Sequence, residues 1–192
     1  MNDLIKFTFD FFGHVLPGSV IIFSISLLHP SNESLRLIFE NAGMINASTA
    51  TALIITSYIL GFAVNPFGRY LYRTLGFKLW NNQVENKVDM FVSDKFVLVR
   101  HFSPENFKKI EAWFTYCAMS HNLSLACLIL FLVCGLKIIF LGGSLTFWIS
   151  ILILSAFLFF VFLYRAVTFY QWANHDLNAA VSCLNLKEKG ME

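Results

Sequence analysis

From Ser103 to Leu141 the sequence runs SPENFKKIEAWFTYCAMSHNLSLACLILFLVCGLKIIFL, with one proline, at its second position, and one glycine, Gly135. Ser103 reads as an N-cap, Pro104 as a residue pre-set for the first helical position, and Glu105 as an acid facing the positive end of the helix dipole. Nothing downstream breaks the helix before Gly142. At about 1.5 Å per residue this is a single helix of roughly 55 Å, nearly twice the ~30 Å hydrocarbon core of a bilayer. Its first part is amphipathic and its second part apolar, so the spacing predicts a helix standing half in water and half in lipid.

Composition agrees. Of 192 residues 57% are apolar and 14% charged, against about 45–50% and 25% in soluble domains. Three further apolar runs complete a four-span pattern: Phe11 to Leu28, Ala47 to Val64, and Leu145 to Tyr164. The expected fold is all-α, an integral membrane protein with four transmembrane helices. The third and fourth, and the second as well, are prolonged into a cytoplasmic helical bundle. The corresponding divisions are residues 1–64 (spans 1 and 2 with a short outer loop), 65–116 (a cytoplasmic subdomain and the start of helix 3), 117–164 (spans 3 and 4) and 165–192 (a cytoplasmic extension and tail). Within the second division, Phe96 to Val99 fit a strand as well as a helix.

Charge placement sets the orientation. Of the 14 lysines and arginines, only Arg36 and Lys137 fall on one side of such a four-span chain. The positive-inside rule makes the other side cytoplasmic, so both termini are expected there, at the inner membrane. Arg69 and Arg73 read as headgroup anchors, and Lys137 as a residue that snorkels outward. The basic middle loop suits anionic lipid better than nucleic acid, since eight basic residues against five acidic ones is only a mild excess; direct nucleic-acid binding is not expected.

Several polar residues fall inside or at the edge of apolar runs. Asp10, His14, Asn65, His121, Asn122 and Arg165 all map to the inner-leaflet level of their helices. Intramembrane polar groups are costly and face the bundle or a wet cavity. They form either a vestibule or headgroup site, or a set of interhelical hydrogen bonds. Pro17-Gly18 interrupts the first run, a break that lipid tolerates only where a neighbouring group satisfies the freed carbonyl. Ala50, Ser57 and Gly61 share a face of the second span, where Ser57 and Gly61 make a small-xxx-small pair suited to close helix approach and to self-association. Beyond the fourth span, Gln171, His175 and Asn178 lie on a polar stripe, opposite a heptad-spaced apolar stripe from Ala166 to Leu184.

Cys117 and His121 are four apart, as are Asp10 and His14, a spacing compatible with zinc. Such pairs arise easily by chance, and neither a metal nor another cofactor is assigned. Enzyme signatures are absent: there is no HExxH, GxSxG, phosphate-cradling glycine loop or dinucleotide fingerprint. The chain is not read as an enzyme.

DFFGHVLPGSVIIF in the first span, SYILGFAVNPFG closing the second and RAVTFYQWANHDL after the fourth resemble small four-span prokaryotic membrane proteins of phage-defence systems. These are the type VI CRISPR-associated membrane accessory proteins and the membrane subunit of Kiwa-type systems. The resemblance implies a homo-oligomer in the inner membrane that couples a cytoplasmic protein partner to membrane sensing or to a channel-like permeability change. A HEPN-type Arg-x4–6-His pattern fails at every arginine, which counts against a nuclease role. Two alternatives stay open: a membrane enzyme or carrier for a lipid or small ion using the Asp10, His14 and His121 cluster, and a passive membrane anchor for a soluble partner.

Overall fold

The computed structural model describes residues 11–29, 40, 43, 45–80, 90–141 and 145–185, all within or flanking helices. Five helices are described along their length: α1 (Phe11–Leu27), α2 (Ala47–Leu79), α3 (Val92–Phe102), α4 (Pro104–Phe140) and α5 (Leu145–Cys183). Most of the expected outer loop lies outside the described residues, as do Asp10 and Gly142.

Three of the helices, α2, α4 and α5, are long and apolar enough to cross a membrane. With 33, 37 and 39 residues they run about 50 to 58 Å. The fourth apolar helix, α1, is shorter, about 25 Å at the same rise. The outer surface of this bundle is hydrophobic: Ile54, Ile59 and Phe62 of α2, and Ile153 and Phe157 of α5, are each more than half exposed. Exposed apolar surface of this extent suits contact with lipid or with another protein rather than with water.

α4 and α5 form an antiparallel pair packed along their length. Three apolar clusters are strung along it. At one end Leu27, Val133, Cys134 and Trp148 join α1, α4 and α5. In the middle Tyr72, Cys117, Phe159, Leu163 and Val167 join α2, α4 and α5. At the other, basic, end Val99, Ile110, Leu177 and Val181 join α3, α4 and α5. The apolar stripe of α5 supplies the last two clusters, with Ala166, Ala173, Leu177 and Ala180 all buried.

The first helix wedges against α2 and α4. Gly18 meets Ser57, and Gly61 meets His14: a Cβ added at either glycine would fall onto the backbone carbonyl of the facing residue. Residues 14 and 18 are one turn apart, as are 57 and 61, so the two helices interlock at two matched steps. This corrects the expectation that the Ser57–Gly61 face serves self-association, because the chain's own first helix already occupies it. Ala50 lies farther along and is only half-buried.

Pro17 has no N–H for the carbonyl four residues back, that of Gly13. Asn122 of α4 supplies the missing donor, its Nδ2 lying 2.9 Å from the Gly13 oxygen in a buried bond. The backbone widens to π-type turns at Phe11–Val15, Tyr72–Gly76 and Lys137–Leu141.

One open reading is resolved and one further expectation is corrected. Phe96 to Val99, which suit a strand equally well, are helical; α3 buries Lys95 and Val99 one turn apart against α4 and α5, and Ser103-Pro104 ends it. Lys137 does not snorkel outward. It is buried, donates to the His29 carbonyl at 3.2 Å, and lies 5.4 Å from the Trp148 ring centroid. The capped carbonyl and the indole face offer the ammonium partners that an apolar exterior cannot.

Candidate functional site

A cavity of about 550 Å³ opens where α2, α3, α4 and α5 meet, between the middle cluster and the basic-end cluster. α2 contributes Asn65, Arg69 and Arg73 at successive four-residue steps, with Tyr72 beside them. α4 contributes Phe114, Cys117, Ala118 and His121; α5 contributes Tyr170 and Asn174; α3 closes one side with Val92 and Phe96. Each set repeats at three or four residues, so each helix turns one face to the cavity.

The floor is aromatic. The rings of Tyr72 and His121 stack nearly parallel, 5.2 Å between centroids and 6° apart. Tyr170 sits 6.0 Å from Tyr72 and 6.1 Å from Phe114, and Phe96 lies 5.2 Å from Phe114. Behind the stack α2 and α4 are nearly in backbone contact at Gly68. A Cβ there would come within 2.8 Å of His121 Nδ1 and 3.1 Å of Asn122 Oδ1. Both of those atoms are buried and meet no hydrogen-bond partner among the described residues. They are the polar back wall of the site, closed off by a glycine.

The charge is one-sided. Arg69 and Arg73 line the cavity and no carboxylate does, among the described residues. The ion pairs among the described residues gather elsewhere, at Asp176, with Lys109 at 3.3 Å and His175 at 3.5 Å. Asp176 also accepts from Trp113 Nε1 at 3.2 Å. Both arginines are exposed, and the Tyr72 ring beside them is buried.

The residues expected in an intramembrane polar cluster divide. His121 and Asn65 line the cavity, and Asn122 stands behind it holding α1. His14 is buried between α1 and α2, its ring edge-on to Tyr58 and Phe62 at 5.5 and 5.6 Å. Arg165 is exposed and covers the Phe169 ring at 5.8 Å, so it does not join them. On the polar stripe of α5, Asn178 accepts a hydrogen bond from the buried Lys95 at 2.8 Å, which ties α3 to α5. His175 is exposed, and Gln171 and Asn178 are half-buried. Among the described residues no three of His, Cys, Asp and Glu come together as metal ligands.

The arginines are the site residues that reading the sequence placed elsewhere. Asn65, Arg69 and Arg73 at i, i+4 and i+8 form a visible polar line on α2. Their proximity to a predicted membrane edge gave them a sufficient role as anchors, and nothing in α2 alone points them toward α4. No family model, curated protein or solved structure matches this chain. The reading of the cavity therefore rests on its own residues.

Proposed function

We propose that the protein is a multi-pass inner-membrane sensor subunit whose sensing site is the cavity between α2, α3, α4 and α5. The observation that carries this reading is the cavity's composition by element. One wall belongs to helices with lipid-facing surfaces, and the other to α3 and the basic ends of α4 and α5. A ligand bound there touches both parts, and its differential affinity for two arrangements of them is what biases one over the other. In this reading α1 is the fourth span, the basic end is cytoplasmic, and the ends of α4 and α5 carry a protein partner. The phage-defence setting follows from the sequence resemblance and is part of the proposal.

A sensor is favoured over a pore because the polar cavity lies within one chain and is lined by large aromatic side chains. Homo-oligomer assembly, which the resemblance implies, must use a surface other than the Ser57–Gly61 face. Ala118→Phe, which fills the cavity from α4, tests the reading. The variant should insert and accumulate normally yet lose protection in a phage-challenge assay. Full protection by an inserted Ala118→Phe protein would overturn the assignment of the cavity as the sensing site.

A further inference from the structure

We infer that the cavity binds a phosphate-bearing anion, with Arg69 and Arg73 as its phosphate donors. The inference rests on the cavity being the sensing site and adds the chemistry of what occupies it.

Four observations lead there. Two guanidinium groups one helical turn apart line the cavity without a carboxylate among the described residues. Planar guanidinium forks match phosphate oxygens two bonds at a time, so the pair suits a phosphate group. The neutral donors nearby, the side-chain amides of Asn65 and Asn174 and the phenol of Tyr72, suit an anion and cost little to desolvate compared with further charges. The volume, about 550 Å³, lies in the range of small-molecule sites and exceeds what a bare phosphate fills. The remaining space is bounded by Phe96, Phe114 and Tyr170, an apolar and aromatic lining for the group that the phosphate esterifies.

Height along the bundle supplies the fourth observation. The cavity lies where the exposed apolar side chains of α2 give way to Arg69 and Arg73, which the proposed membrane placement puts at the level of lipid phosphates. Phosphate can reach this site as a lipid headgroup sliding between helices or as a soluble ester from the aqueous side. The shared chemistry is the phosphate, and the two sources are separable by experiment.

The full chain is purified in a phosphate-free maltoside detergent and its thermal unfolding is followed. One arm adds glycerol 3-phosphate. The other adds short-chain phosphatidylglycerol in mixed micelles, with neutral diacylglycerol and sodium chloride at matched ionic strength as controls. A ligand that binds only the folded state raises the midpoint in a concentration-dependent way. At least one arm should do so for the wild-type chain and for Arg165→Gln, whose arginine lies outside the cavity. In the Arg69→Gln/Arg73→Gln variant the apparent affinity should fall at least about tenfold, the expected effect of losing charge-assisted bonds. Ala118→Phe should abolish the shift without altering charge, and it decides alone if the double variant does not accumulate.

Stabilisation by the soluble ester alone identifies an aqueous ligand, and by the lipid alone a headgroup; either supports the inference. No shift in either arm, or an equal shift in wild type and both cavity variants, overturns it. Because binding is read without phage, the two readings fail separately. Lost protection in Ala118→Phe with no phosphate shift would remove only the ligand chemistry, and a clear shift with unaffected protection would remove only the sensing role.

Discussion

Asn122 donates its side-chain amide to the carbonyl of Gly13, the group that Pro17 leaves without a helical N–H. One residue on α4 thus satisfies a defect on α1 that lipid cannot. The same residue stands behind His121, so the docking of the first helix and the back wall of the cavity share a single turn of α4. Loss of that bond is felt in both places.

Asn122→Ala should therefore cost about 1–3 kcal/mol, the penalty for an unsatisfied buried carbonyl. Pro17→Ala restores a donor to the helix, so in the Asn122→Ala background it should recover part of that loss, while alone it changes little. The check is a double-mutant cycle by reversible unfolding in mixed detergent micelles. Strictly additive effects would mean that Asn122 does not act through the Gly13 carbonyl.

Gly18 and Gly61 face backbone, not side chains, so a collision there has no flexible group to move. Gly61→Val and Gly18→Val should each displace α1 from α2 and lower stability by about 3 kcal/mol or more, at the upper end of overpacking costs. Ala50→Val, on the same helix but half-buried, should stay within about 0.5 kcal/mol. Equal effects at all three positions would contradict the interlocked steps.

Lys95 is buried at the basic end, where its ammonium donates to Asn178 and burial lowers its pKa below the usual lysine value. Between the folded pKa and about 10.5 the unfolded chain binds more protons than the folded one. Stability therefore rises with pH across that window, and below it the cost of burying the cation is present in full. Wild type should gain on Lys95→Met as pH rises from neutrality toward about 10.5. The measurement is denaturant unfolding of both proteins at several pH values. Parallel pH curves would show that the ammonium is solvated in the folded protein.

Much of this architecture is legible from the chain alone, because it follows from helix period and from costs that lipid imposes locally. The 37-residue α4 is announced by Pro104 at its start and by its lack of breakers, although Ser103 makes no side-chain cap there; Cys117, His121 and Ser124, at i, i+4 and i+7, are all buried along it. Pro17-Gly18 forecasts a donor from a neighbouring helix without naming it. What periodicity leaves open is which neighbour a face meets. Ser57 and Gly61 announce a close approach equally well for a second copy and for α1. Lys137, Lys95 and Arg73 each carry a long stem that can end in water or turn inward. The inward partners of the two lysines, the His29 carbonyl and Asn178, lie 108 and 83 residues away, while Arg73 stays exposed at the cavity. Sequence spacing on one helix says nothing about such choices.

Ser124 offers a contrast that isolates what makes Asn122 costly to lose. Its hydroxyl donates to the Phe159 carbonyl of α5 at 3.1 Å, also buried and also between helices. The Phe159 carbonyl, however, lies inside an unbroken helix, where the N–H four residues on, that of Leu163, is available to it. Removing the hydroxyl leaves no unsatisfied acceptor, so Ser124→Ala should cost only about 0.6 kcal/mol, the average for interhelical side-chain bonds in membranes. The same unfolding assay compares the two variants directly. If Ser124→Ala proved as damaging as Asn122→Ala, the loss in both would trace to packing at the α4 face, and the proline-freed carbonyl would not be the reason that position 122 needs an amide.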